Sequence, residues 1–314
     1  MWAVRVERFG GPEVLALTEV ERPSPISTEV LVAVEAAGVN PVDAKTRAGD
    51  GVAHWVGLPF VPGWDVAGRV VATGYGVTRF AVGDRVLGMP WFPRAAGGYA
   101  QYVAAPSRQF ARVPDEVASL EAAALPLAAL TAWQTLVDTA ALAAGQQLLV
   151  LGGAGGVGHL AVQIAKSRGA HVVVTARPER FDFVCSLGAD EVVDRTEVPI
   201  ERAAREVDVV LDLVGGAATL ASLATLRPGG TLLAVAEGAG DDVRAEAGRR
   251  GVRVTEPLVE PDGRALEELL ALVSDGGLRV AIDTVLPLEQ AAEAHGRIER
   301  HEVLGKLVLA VPQD

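Results

Sequence analysis

The densest chemical signal in the chain is a cluster of glycines. Residues 152–158 read GGAGGVG, five glycines in seven positions, and glycine gives up more conformational freedom on ordering than any other residue. Gly153, Gly155 and Gly158 fall in the spacing G-x-G-x-x-G. Between a strand and a helix, that spacing serves anion binding: the backbone closes tightly round a diphosphate and the first helical N–H groups point at its charge. On this reading Gly153 permits the sharp turn, Gly155 lets the backbone approach the diphosphate, and Gly158 lets the helix sit close to the strand. The alternative is a plain glycine-rich loop in an α/β domain. The flanks favour the first reading. Gln147 to Leu151 is a short apolar run that reads as a buried strand. Leu160 with Ile164, and Ala161 with Ala165, share faces of a helix that Gly169 stops. His171 to Ala176 is a second, β-branched run.

A second signal lies at the end of that run. HVVVTA closes without an acid and is followed at once by Arg177, with Arg180 further on. An Asp or Glu at this point accepts the ribose hydroxyls of NAD, whereas arginine suits the 2′-phosphate of NADP. In LGADEVVDRT, Arg195 closes the next strand. The ends of adjacent parallel strands lie close, so Arg177 and Arg195 are placed to grip one phosphate from two sides with planar guanidinium forks. Solvated surface arginines are the alternative, Arg180 above all, and Glu179 is a rival candidate for the ribose. The expected cofactor is NADPH.

The bulk properties fit a two-domain enzyme. A chain of 314 residues exceeds a usual single core; half of it is hydrophobic and 22% charged, which is globular composition. A net charge of −12 argues against nucleic acid or an anionic membrane as partner. The single cysteine, Cys185, excludes disulfides and a thiolate metal site and reads as a buried structural thiol. MWAVRVERFG shows no signal peptide, and the apolar stretch 122–133 is broken by Pro126 and too short to span a membrane. The expected location is cytoplasmic. The five histidines, including His54 and His159, show no metal-ligand spacing and read as surface or packing residues.

Two kinds of architecture must position these residues. Up to about residue 114 the chain is a series of strand-like runs punctuated by glycine and proline, the pattern of a compact β domain. Strands then alternate with helices. They are expected at 147–151, 171–176, 191–194, 207–213, 230–236 and 252–259, giving a doubly wound parallel sheet. In AATLASLATLRPGG, Pro228 and Gly229 are expected to end a helix. The last part, with helices at 265–274 and 288–298 and the strand GKLVLAV, does not continue the alternation and is assigned back to the first domain. The expected division is 1–114 with 263–314, and 115–262. The run 252–259 is expected at a sheet edge, where an unprotected strand invites a two-fold pairing into a homodimer.

The segments AAGVNPVDAKTRAG (36–49), LPFVPGWDVAGRVVATGYGVTRFAVGDRVLG (58–88), GGYAQYV (97–103), EAAALPLAALTAWQTL (121–136), GGAGGVGHLAVQIAKSRGA (152–170), LGADEVVD (187–194) and GKLVLAV (305–311) come in this order. Together they resemble the zinc-independent quinone oxidoreductase (ζ-crystallin-like) branch of the medium-chain dehydrogenase/reductase superfamily, across essentially the whole chain. The resemblance implies an α/β protein: a GroES-like β-rich catalytic domain plus a Rossmann domain, with the active site in the cleft between them. Zinc-dependent relatives carry a cysteine where this chain has Asn40 and a Gly-His-Glu where it has Gly63-Trp64-Asp65. A tetrahedral catalytic zinc is therefore not expected, nor alcohol oxidation, which needs that Lewis acid.

Hydride transfer from NADPH to a quinone or an α,β-unsaturated carbonyl compound is the activity implied. A pathway-specific enoyl or enone reductase and a non-catalytic NADPH-binding protein remain alternatives. Asn40 is expected either to donate its amide to the carbonyl oxygen that gains charge or to serve as a turn residue before Pro41. Asp43 and Lys45 are expected to hold their loop. Thr131 is expected against the nicotinamide, or as a helix cap. The full cofactor set implied is Thr131, Gly153, Ala154, Gly155, Gly156, Val157, Gly158, Thr175, Arg177, Arg195, Val214, Gly215, Ala236 and Lys306. His54, Trp55, Trp91 and Phe92 are expected to line the substrate cleft, exposed aromatics suited to a flat conjugated molecule, with ordinary packing as the alternative.

Overall fold

The structure, a computed structural model, describes residues 1–312. Its internal contacts divide the chain into two units. The first comprises 1–130, 260–276 and 280–314, and the second 131–259 with 277–279. The division falls inside the helix Pro126–Trp133, later than the boundary at 114/115 that the change in sequence pattern suggests. Residues 119–130 are a pair of short apolar helices whose alanines are buried in the first unit, for example Ala122, Ala123 and Ala124 at 0% exposure.

The first unit is built round a seven-stranded sheet. Its path runs Ile282–Pro287, Lys306–Ala310, Glu29–Val39, Asp65–Thr73, Arg85–Gly88 and Phe110–Arg112, with Tyr102–Pro106 also paired to Glu29–Val39. Glu29–Val39 is buried along nearly its whole length, so it reads as an apolar run without alternation. Val32, Val34, Val66, Val86 and Leu309 pack there into one core, each contributing about 1.5–3 kcal/mol on full burial. Gly38 is required for packing: a Cβ there would stand 2.4 Å from the Ala123 carbonyl oxygen. The C-terminal segment returns to this unit through the helix Gly263–Ser274. Asp262 caps it by accepting from the N–H groups of Arg264 and Ala265, and Leu266, Leu269 and Leu270 form its buried face. Pairing fixes the register at one end of the sheet, with Gly38 opposite Asp65 and Val39 opposite Leu307. Asn40, Asp65 and Lys306 consequently meet where three strands end.

The second unit is a six-stranded parallel sheet in the order Glu191–Asp194, His171–Ala176, Gln147–Leu151, Val207–Asp212, Leu226–Ala234, Arg253–Thr255. Numbered within the unit this is 3-2-1-4-5-6, the doubly wound order whose reversal point lies between Gln147–Leu151 and Val207–Asp212. Both strands are fully buried at their ends, and Leu149, Leu151, Val173, Val210 and Leu232 share the core beneath them.

Three elements differ from expectation. Pro228 and Gly229 do not end a helix. That helix stops at Ser222, a short 3-10 turn follows, and both residues lie inside the strand Leu226–Ala234. Gly229 takes φ +80° there and donates to Gly251, so the strand carries an irregularity that admits both residues. The edge strand is confined to Arg253–Thr255. Glu256 turns away to accept from Ala239 N and pair with Arg244, and Pro257 has no N–H to continue a ladder. Cys185 is exposed, because its six-residue helix buries Val184 instead. Among the described residues, no helix is long and apolar enough to cross a membrane.

Candidate functional site

The glycine turn follows the innermost strand at the reversal point. The left-handed residue of this turn is Gly152, at φ +87°, and not Gly153. Gly153 is demanded by space: a Cβ would lie 2.2 Å from Val174 Cγ1. Gly158 opens the helix Gly158–Ser167, and its Cβ would meet Gly152 O at 2.3 Å and Gly153 Cα at 2.6 Å. Helix and turn touch backbone to backbone there, as the spacing requires. Gly155 behaves differently. Its only near neighbour would be Gly152 O at 3.5 Å, so nothing in the protein forbids a side chain at that point. Among the described residues, the N–H groups of Gly156 and Val157 donate to no protein acceptor. An open glycine beside outward backbone donors at a helix N-terminus suits a diphosphate. Ala154 is buried between them.

The other half of the reversal point is shaped by Asp212, which the sequence reading did not single out. It is 1% exposed. Its Oδ1 accepts from Val214 N at 2.9 Å and Gly215 N at 3.1 Å, and its Oδ2 from the Thr219 hydroxyl at 2.6 Å. Asp followed by Leu-Val-Gly-Gly is a turn signal of the Asx type and could have identified it. Val214 is 47% exposed, and the Cβ position of Gly152 lies 3.5 Å from Val214 Cγ2. The two turns that flank the reversal point are thus in contact. Ala236 follows the next strand, half-buried.

Thr175 is buried, paired with Leu151 on one side and Val193 on the other. Asp194 pairs with Ala176, and Arg195 N donates to Ala176 O at 3.1 Å. Arg177 and Arg195 therefore leave neighbouring strands in step, and both are exposed. Arg177 Nη1 lies 3.9 Å from Glu179 Oε1, with side-chain exposures of 47% and 63%. A pair that open to water holds little energy.

In the first unit the structure revises two expected roles. Asn40 is 2% exposed. Its amide donates to Asp65 Oδ2 at 2.8 Å, and its carbonyl oxygen accepts from Lys306 Nζ. Lys306, also 2% exposed, donates to Val39 O at 3.2 Å, Asn40 Oδ1 and Asp65 Oδ2 at 3.2 Å. An ammonium has three donors, so Lys306 has none left for a cofactor, and Asn40 spends its carbonyl oxygen and one of its two amide N–H groups on this buried network. Asp65 Oδ1 accepts Leu127 N at 2.6 Å, in the first turn of the helix Pro126–Trp133. Thr131 is buried well inside that helix and not at its start, its carbonyl accepting from the Thr135 hydroxyl.

Asp43 holds its segment as expected, its Oδ2 accepting Asn40 N at 2.6 Å and the Tyr99 hydroxyl at 3.1 Å. Behind Tyr99 stands His295 Nε2, 3.3 Å from the hydroxyl. Burial pushes the Asp43 carboxyl up to about 7, aided by the charge of Asp65 and opposed by the Asn40 N–H. Burial and the Arg47 charge push His295 down to about 3. Tyr99 is held well above the usual phenol range by burial and by Asp43.

The four aromatics separate into two pairs. His54 and Trp55 are exposed, with ring centres 3.8 Å apart. Phe92 is 6% exposed and packs edge-on against Trp64 at 5.4 Å. Trp91 sits at φ +61°, its backbone N–H donating to Gln109 Oε1 and its indole N–H to Ala104 O. Phe92, buried, and Trp91, half-buried, thus tie their loop to the core. Among the described residues, no group of three or more His, Cys, Asp or Glu is placed to hold a metal ion.

Comparison with known proteins fits this geometry. Residues 27–115 match the family model of the alcohol dehydrogenase GroES-like domain, and residues 187–309 the model described as zinc-binding dehydrogenase. The quinone oxidoreductase of Coxiella burnetii is 35% identical with a TM-score of 0.95, covering 99% of each chain. The Escherichia coli quinone oxidoreductase, solved in complex with NADPH, is 26% identical with a TM-score of 0.89 over 99% of this chain and all of that one. A chloroplastic NADPH-dependent alkenal/one oxidoreductase of Arabidopsis thaliana is 35% identical over 96% of this chain and 77% of that protein. The chain belongs to the medium-chain dehydrogenase/reductase superfamily. Within it, the chain is a member of the quinone oxidoreductase (ζ-crystallin-like) branch, an NAD(P)H-dependent oxidoreductase of the quinone reductase type.

Proposed function

We propose that this enzyme uses NADPH in preference to NADH and, without a metal, passes hydride to a quinone or an α,β-unsaturated carbonyl compound. The observation that carries the cofactor choice is the pair of strand ends. His171–Ala176 closes without an acid, and Arg177 and Arg195 leave it and its neighbour in step. When bound, the reduced nicotinamide supplies the hydride. The chain's own residues bind and orient: the 155–158 turn takes the diphosphate, Asp212 fixes the facing turn, and the two arginines take the 2′-phosphate. Arg177, held only by the weak, exposed Glu179 contact, would be free to turn to a phosphate that carries up to two charges.

The metal-free reading is supported by the donor set. At Asn40 and Asp65 the one carboxylate is already neutralised by Lys306, whose ammonium repels a cation. Without a Lewis acid, the acceptor must be electrophilic by conjugation, which is true of quinones and enones.

The test is oxidation of NADPH and NADH by wild type and Arg177→Ala against a panel of quinones and enones. A charge-assisted contact discounted for exposure is worth about 1–2 kcal/mol. Arg177→Ala should therefore weaken NADPH roughly 5- to 30-fold and leave NADH nearly unchanged. Equal weakening of both, or a wild type indifferent to the 2′-phosphate, would overturn the cofactor choice. No turnover with any conjugated acceptor would overturn the activity.

A further inference from the structure

His159, the residue after the last glycine of the turn, is fully buried in the first turn of the helix Gly158–Ser167. Its Nδ1 lies 3.0 Å from Gly155 O. A carbonyl only accepts, so Nδ1 carries the hydrogen and donates. The same oxygen also accepts the His159 backbone N–H at 3.0 Å. Two donors from one residue thus converge on the carbonyl of the glycine that has open space at its Cβ position.

The peptide bond between Gly155 and Gly156 is a rigid trans plane, so its C=O and N–H point in opposite directions. With a glycine on each side, this peptide has little steric restraint on its orientation. Holding its oxygen inward, toward the buried imidazole, faces the Gly156 N–H outward, and that N–H has no protein acceptor among the described residues.

We propose that His159 is a positioning residue for cofactor binding: by clamping the Gly155 carbonyl through Nδ1, it aims the Gly156 N–H at the diphosphate. This rests on the dinucleotide reading of the turn given above. Preorganised donors bind charge without having to reorient when the ligand arrives. The chain therefore places a side-chain device inside a motif otherwise made of backbone.

The test compares His159→Leu and His159→Asn with wild type by titration with NADPH and with adenosine 2′-phosphate, which lacks a diphosphate. Leu removes the donor, whereas the Asn amide places one close to the Nδ1 position. A net hydrogen bond of about 0.5–1.5 kcal/mol corresponds to a roughly 2- to 12-fold loss. His159→Leu should weaken NADPH by that factor and leave adenosine 2′-phosphate unchanged, and His159→Asn should restore most of the NADPH affinity. Equal weakening of both ligands by Leu, or an Asn variant as weak as Leu, would show a packing role and overturn the proposal. If the Leu variant does not fold, His159→Gln, whose donor reaches past the Nδ1 position, takes its place with the same expected outcome. A wild type that binds NADPH while these variants match it overturns this role alone. A wild type that binds no nicotinamide dinucleotide overturns the proposed function, and this role with it.

Discussion

The two polar centres of this molecule are built on opposite plans. The glycine turn of the second unit is open at Gly155 and, among the described residues, leaves the N–H groups of Gly156 and Val157 without a protein acceptor. The cluster of the first unit brings Asn40, Asp65 and Lys306 together out of water and joins them to one another. On the function proposed above, one centre accepts a charged ligand, while the other pairs its own charges. Charged and amide side chains converging at one point are thus weaker evidence of a ligand site than small residues whose backbone is open. Buried polar groups mostly find partners in the fold, and Lys306 and Asp65 have found theirs here.

The largest effect expected from this contrast is in the closed cluster. Lys306→Met keeps the length of the side chain and removes its charge, leaving the Asp65 carboxylate buried without a cation. Breaking a buried pair from one side costs about 3–5 kcal/mol, measurable as a fall in unfolding free energy in denaturant. A loss well below that range would mean water reaches the cluster and the contrast is overdrawn.

The next effect separates two glycines of one motif. Gly158→Ala drives a methyl group into the backbone at Gly152 and should cost about 1–3 kcal/mol in stability. Gly155→Ala meets no close atom of the protein, so it should melt with the wild type while binding of the nicotinamide dinucleotide is lost. Thermal melts and titration with NADPH read both outcomes. If Gly155→Ala binds as wild type does, the open face is not where the diphosphate lies.

The last effect, spread over a range of pH, is a change in pH dependence. Asp43 rises from 3.8 to about 7 on folding, so the native state holds a proton that the unfolded chain has released. Its stabilisation is present below the lower value and lost as pH rises to the upper one. His295 falls from 6.5 to about 3, so its stabilisation is present above the upper value and lost as pH falls. The two slopes oppose each other from about pH 4 to 6.5. In Asp43→Asn only the histidine term remains. The stability of this variant should rise with pH up to about 6.5 and then level off, while the wild type loses ground near neutrality. Denaturant midpoints across that range check the sign; identical profiles for the two proteins would show that Asp43 does not titrate as its burial requires.

How much of this was legible in the sequence follows from the range of the forces involved. The turn at 152–158 could be read because its constraints are local: a left-handed residue, a close helix, an open face. Even so, the left-handed residue is Gly152, and Gly153 is held by Val174 on the neighbouring strand. The parallel strands were legible as apolar runs, including Glu191–Asp194 to the residue. The roles of Asn40 and Lys306 were not, because what decides them is a contact across 266 residues of chain. The sequence left packing and cleft both open for Trp91 and Phe92 for the same reason; in the structure Phe92 is buried and Trp91 half-buried. Their loop looks exposed by composition, and only Gln109, Ala104 and Trp64, brought in by the sheet, turn it inward.

The return of the C-terminal strand has a consequence for the order in which the protein is made. Asp65 emerges from the ribosome 241 residues before Lys306. At about 5–20 residues per second, it waits on the order of tens of seconds for its counter-charge. Throughout that interval the strand Glu29–Val39 also lacks Lys306–Ala310, its neighbour on one side. The nascent first unit must therefore either keep Asp65 hydrated or wait unclosed, so its final folding step is set by the arrival of Lys306–Ala310. The second unit needs nothing beyond residue 279 and is free to fold first.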